Sequence, residues 1–120
     1  MTEWSATYQL AYERAGAALT SGQSVIFDAA NYSRAQRDVI RTHARRAGAD
    51  SIVLHVDVPE EECRRRFQAH VASGKATDST DFERVVSRFD PPVADEQVIL
   101  FMEGMQIEDL VTGLRQMFGP

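Results

Sequence analysis

The stretch Val25–Arg37, VIFDAANYSRAQR, decides how the rest of the chain is read. Val25, Ile26 and Phe27 form a short run of β-favouring apolar residues, the pattern of a strand. Asp28 closes the run. A parallel strand ending there delivers a carboxylate to the C-terminal edge of its sheet, where open α/β sheets bind ligands. Asn31 falls in the connection. Ser33 followed by Gln36 is a capping-box signature and predicts that a helix begins there. Arg34, Arg37 and Arg41 then share one helical face, the first two close to the sheet edge.

Upstream, Ser5–Thr20 reads as a helix. Trp4, Tyr8, Ala11, Tyr12, Ala15, Ala18 and Leu19 make an apolar stripe at helical spacing, and Gly22 is a C-cap. The stripe is core packing rather than a cofactor box. Downstream, the helix opened by Ser33 runs to about Ala47, with Val39, Ile40, His43 and Ala47 as its apolar side and Gly48 as its stop. His43 reads as a core or boundary residue, because no Cys or second His stands nearby at metal-ligand spacing. Ser51–Val58 is a second strand, apolar almost throughout, as a strand covered on both faces is.

Pro59 starts the next helix, and Glu60, Glu61 and Glu62 favour the positive end of its dipole. Arg64, Arg65 and Arg66 follow one turn later, the pattern of charge complementarity along a solvated helix. Ala72–Ser79 is a polar, hinge-like loop. Thr80 with Glu83 opens a short helix through Phe89, and Pro91 and Pro92 stop it. Val98–Met102 is a third strand. Ile107–Phe118 is a closing amphipathic helix with Leu110, Val111, Leu114 and Met117 inward. Helices alternating with strands predict an α/β fold with a parallel sheet.

The 120 residues suffice for one domain with a modest core, and 43% hydrophobic with 26% charged residues is ordinary for a globular protein. The formal net charge of -5 argues against a general nucleic-acid coat. Lys75 is the only lysine, so the positive charge is nearly all arginine, which suits bidentate phosphate or carboxylate contacts but is read first as a reflection of genomic base composition. Cys63 is the only cysteine, which rules out an intrachain disulfide. There is no membrane-length apolar run and no signal-peptide layout at the N-terminus, so a cytoplasmic location and no membrane partner are expected.

Taken together, DAANYSRAQR, HVDVPEEECRRRF and SRFDPP resemble, in collinear order, the later part of small P-loop kinases. These AAA-type ATP-binding proteins are similar to polynucleotide kinase and zeta-toxin-like enzymes. The resemblance implies an incomplete P-loop NTPase-like parallel sheet of about three strands, flanked by helices, with a helical lid over about 59–92. It implies ATP and Mg2+ as cofactors. Asp28 would serve catalysis and the metal beside the γ-phosphate. Asn31 and Arg37 would shape the acceptor-substrate side. Arg66 would be a catalytic lid arginine, and Arg88 would bind the nucleotide at the lid's return. The turn Glu103–Gln106 would approach the adenine.

The sequence departs from the family in three places. No G-x-x-x-x-G-K-[ST] phosphate-binding loop occurs, Ala30 stands where the family usually has a small hydroxyl residue, and His70 stands where a second lid arginine would sit. The N-terminal phosphate-loop unit is therefore expected to be missing, and a preceding segment or a homodimer is expected to cover the apolar surface left open. The leading function is a kinase-like phosphotransferase domain, moving the ATP γ-phosphate to a hydroxyl of a small molecule or nucleic-acid end. The 120 residues alone are expected to be inactive. The alternative is a non-catalytic anion-binding or regulatory module whose partner is a nucleotide or phosphorylated small molecule. A further alternative is an RNA-binding module on Arg34, Arg37, Arg41 and Arg45, which the acidic net charge disfavours.

Overall fold

A computed structural model describes residues 3–75 and 80–119, with side chains described for 5–75 and 82–119. The side chains of Trp4 and Thr80, and the end of the polar loop at 76–79, lie outside the described residues. The chain divides into two compact units, Met1–Ser51 and Ile52–Pro120.

The first unit is a pair of helices, α1 (Glu3–Thr20) and α2 (Arg34–Arg46). Tyr8, Ala11, Tyr12, Ala15, Ala18 and Leu19 form the inner stripe of α1, each half-buried. Phe27 stacks on Tyr12 at 5.5 Å between ring centroids, and Tyr12 stacks on His43 at 4.8 Å. His43 is thus part of an aromatic column joining the helices. Burial raises the Tyr12 phenol pKa above its usual value, and neighbouring Tyr8 adds to the shift.

Both helices end in the same way. Gln23 N–H returns to Ala18 O and Gly22 N–H to Leu19 O; Ala49 N–H returns to Ala44 O and Gly48 N–H to Arg45 O. This double return needs a left-handed residue, and Gly22 (φ 90°) and Gly48 (φ 75°) provide it without a Cβ penalty.

Two expectations for this unit are corrected. Val25–Phe27 is not a strand: a strand exists through its ladder, the described residues of this unit offer no strand to pair with, and Ile26 is 92% exposed. The expected apolar side of α2 is inward at Ile40, His43 and Ala47, each half-buried, but not at Val39. Arg37 and Ala44 are its buried residues, one heptad apart, whereas Val39 is exposed.

The second unit holds β1 (Val53–Asp57), α3 (Glu60–Ala72), α4 (Thr80–Arg88), a 3-10 turn at Ala94–Glu96, β2 (Val98–Met102) and α5 (Ile107–Phe118). β1 and β2 run parallel, with Val53 opposite Val98 and Asp57 opposite Met102. Side chains alternate across a sheet, so Leu54, Val56, Ile99 and Phe101 share one face. α5 lies close on that face: a Cβ at Gly113 would stand 3.5 Å from Ile99 Cδ1. On the other face His55 meets Phe89, ring centroids 5.8 Å apart.

The chain is mixed α/β with a parallel sheet, as the alternation of helices and strands predicts. Among the described residues the sheet has two strands rather than about three, because the Val25–Phe27 run stays unpaired. β1 is not covered on both faces either: Leu54 and Val56 are exposed, since α5 lies against Ile99 of β2. On α5 the inward residues are Leu110, Gly113 and Leu114, while Val111 and Met117 are exposed.

Within this unit α3 and α4 clasp each other. Arg64 Nε donates to Glu83 Oε1 at 2.7 Å and its Nη2 to Glu83 Oε2 at 3.2 Å. The rings of Phe67 and Phe82 stack at 5.3 Å, with the Arg64 guanidinium 5.7 Å from the Phe82 ring.

Candidate functional site

The connection after Phe27 is built by Asn31, Ser33 and Arg37. Asn31 sits in the left-handed region at φ 48°, a conformation that Asn tolerates better than most residues. Its Nδ2 donates to Phe27 O at 3.3 Å, and its own carbonyl accepts Arg37 Nη1 at 3.0 Å. Ser33 caps α2, its Oγ accepting the Gln36 N–H at 3.1 Å. The reciprocal half of the box is missing, for Gln36 Oε1 is buried without a partner. Arg37, 3% exposed, thus reaches back from the first turn of α2 to the loop that precedes it.

Asp28 stands exposed on the approach to this loop. It borders a shallow, open recess lined by Ala11, Ala15 and Ala18 of α1 and by Val25 and Phe27. Among the described residues no group of three or more His, Cys, Asp or Glu side chains is placed to hold a metal ion. A phosphate-bound Mg2+ takes one or two carboxylates from a protein and completes its shell with phosphate and water. Asp28 suits that role only where other groups hold the phosphates.

The three arginines expected on one face of α2 diverge. Arg37 turns inward. Arg41 binds Asp38 Oδ1 at 2.6 Å, and Arg34 approaches Asp38 Oδ2 at 3.7 Å, so these two flank one carboxylate. Their spacing places them on one face, but burial separates Arg37 from the other two.

In the second unit, the arginine row of α3 is paired with carboxylates. Glu62 accepts from both Arg65 and Arg66, and those two hydrogen bonds hold its carboxyl pKa down to about 2. Glu83 is likewise held below the usual carboxylate range by Arg64. Arg66 binds Glu62 Oε1 through Nε at 2.9 Å and Glu103 Oε1 through Nη2 at 3.4 Å, its side chain 52% exposed. Arg88 stands exposed in the last turn of α4.

Of the candidates, the structure joins Asn31 and Arg37 in the first unit. In the second it places Arg66 between two carboxylates and Arg88 on α4. Sequence reasoning missed Glu103 as a partner of Arg66, and no local signal could have shown it, because the two are 37 positions apart. It also missed Glu96, 3% exposed, whose Oε2 accepts the Val93 N–H at 2.9 Å at the entry to β2.

A family model described as an AAA domain matches residues 1–92, a span that includes Asp28, Asn31, Arg37, Arg66 and Arg88 and ends before β2. Comparisons with curated proteins and with solved structures return no match. With 92 of 120 residues inside the match, the chain belongs to the AAA domain family.

Proposed function

We propose that this chain supplies the acceptor-side loop and the arginine-bearing lid of an ATP-dependent phosphotransferase, and that the 120 residues by themselves do not turn over ATP. The observation that carries the reading is the family match over residues 1–92, which takes in the Asp28–Arg37 loop and both lid helices in one span. Phosphoryl transfer depends on positioning and on fixed charge around the moving phosphoryl group. Arg66 and Arg88 are cations on α3 and α4 that suit the phosphates. The loop held by Asn31 and Arg37 presents the exposed Asp28 carboxylate. Holding β- and γ-phosphates also takes a row of backbone N–H groups at a helix N-terminus, and the sequence has no G-x-x-x-x-G-K-[ST] to provide it.

The test is a titration of the 120-residue chain with MgATP and with inorganic triphosphate, alongside an ATP turnover assay. The reading expects weak binding that Arg66→Ala weakens further, and no turnover. Turnover that disappears in Asp28→Ala would overturn the inactivity. Binding indifferent to both Arg66→Ala and Arg88→Ala would overturn the lid assignment. Triphosphate and ATP bound alike would favour an anion-binding module over a nucleotide site.

A further inference from the structure

The carboxylates around Arg66 are not equivalent. Glu62 sits four residues before it on α3, so this pair travels with the helix however α3 moves. Glu103 lies beyond α4 and β2, in the turn between β2 and α5, and its bond to Arg66 ties α3 to that turn. The turn itself is fixed: Met105 N–H donates to Met102 O at 3.1 Å, and Met102 N–H meets Met105 Sδ at 3.2 Å. Gly104 adopts φ 88°, which places Glu103 at the corner beside the end of β2. Arg65, whose guanidinium also feels the Glu103 charge, is the adjacent exposed cation.

The Nε–Nη2 fork of Arg66, a site a phosphate could take, is filled by Glu62 on Nε and by Glu103 on Nη2. We propose that Glu103 is an internal competitor for the Arg66 guanidinium, a latch that an incoming phosphate group must displace to take the Nη2 donor. The proposal rests on the reading of Arg66 as a phosphate-contacting lid residue. Both partners are more than half exposed, so the latch is weak enough to yield to a ligand. An exposed ion pair contributes roughly 0.2–1 kcal/mol, equivalent to about a 1.4- to 5-fold change in affinity.

Isothermal titration of inorganic triphosphate into the 120-residue chain at low salt tests this, with Glu103→Gln, Arg66→Ala and the double variant. The expected result is about 1.4- to 5-fold tighter binding for Glu103→Gln, weaker binding for Arg66→Ala, and no effect of Glu103→Gln once Arg66 is alanine. Tightening that persists in the Arg66→Ala background would overturn the latch, since the charge would then act without Arg66. Binding weakened by Arg66→Ala but unmoved by Glu103→Gln would overturn the latch alone and leave the lid reading standing. No binding by any form would overturn both. Hydrogen exchange of residues 103–106 provides a readout without ligand: it rises in Glu103→Gln if the pair tethers the turn, and unchanged exchange counts against the tether.

Discussion

Replacing Arg37 by methionine separates a structural role for this residue from a ligand-facing one. The side chain is 3% exposed and its Nη1 donates to the Asn31 carbonyl at 3.0 Å, six residues upstream. Methionine keeps most of the apolar stem and removes the guanidinium, so the loss is at least that of the charge-assisted hydrogen bond to Asn31. Such bonds contribute about 1.5–3 kcal/mol. Asn31 in turn holds a left-handed backbone that is easier to keep when its carbonyl is anchored. The loss falls on the α2 end of the first unit. Native-state hydrogen exchange of the amides from Arg37 to Ala44 reads it directly, because each 1.4 kcal/mol is a factor of ten in opening. Exchange is expected to speed up by about 10- to 150-fold, the range given by 1.5–3 kcal/mol. Arg37→Lys should fall between, keeping the charge but not the fork. An acceleration below about threefold, well under the value of one charged hydrogen bond, would refute the reasoning. The guanidinium would then be available for a substrate rather than holding the loop.

The other expectations are simpler. Ser33→Ala removes the cap from the Gln36 N–H and should cost about 1 kcal/mol, read as lost helicity or a lower urea midpoint. Because the missing reciprocal bond leaves the Gln36 side chain with no part in that cap, Gln36→Ala should not reproduce the loss. In acid, the depressed Glu62 carboxyl gives a stability contribution that is complete above its ordinary value of 4.5 and declines as the pH falls toward about 2. Protection of α3 amides, taken against the intrinsic exchange rate at each pH, should therefore fall as the pH drops between those values, and Glu62→Gln should flatten that part of the profile. A wild-type profile already flat there would contradict the Arg65–Glu62–Arg66 pairing.

Residues and their spacing determined the elements whose causes are local. Ser33 starts α2, Gly22 and Gly48 end helices by adopting positive φ, and Val98–Met102 and Ile107–Phe118 form at the residues their patterns predict. The i to i+4 pairing of Glu60 with Arg64 and of Glu62 with Arg66 is equally a property of one helix. The ordered motifs were also enough to point to the family that the match over 1–92 shows. Only the tertiary structure decided what depends on distant partners. Val25–Phe27 has the composition of a strand, yet composition supplies no ladder, and Ile26 stays in solvent. Arg34, Arg37 and Arg41 look equivalent on a helical wheel, but one is buried on the Asn31 carbonyl and the other two flank Asp38. Glu103 reaches Arg66 only because the chain between them folds back. Local signals act through neighbouring backbone groups, which any stretch carries with it. Burial and long-range ion pairs depend on what the rest of the chain brings alongside.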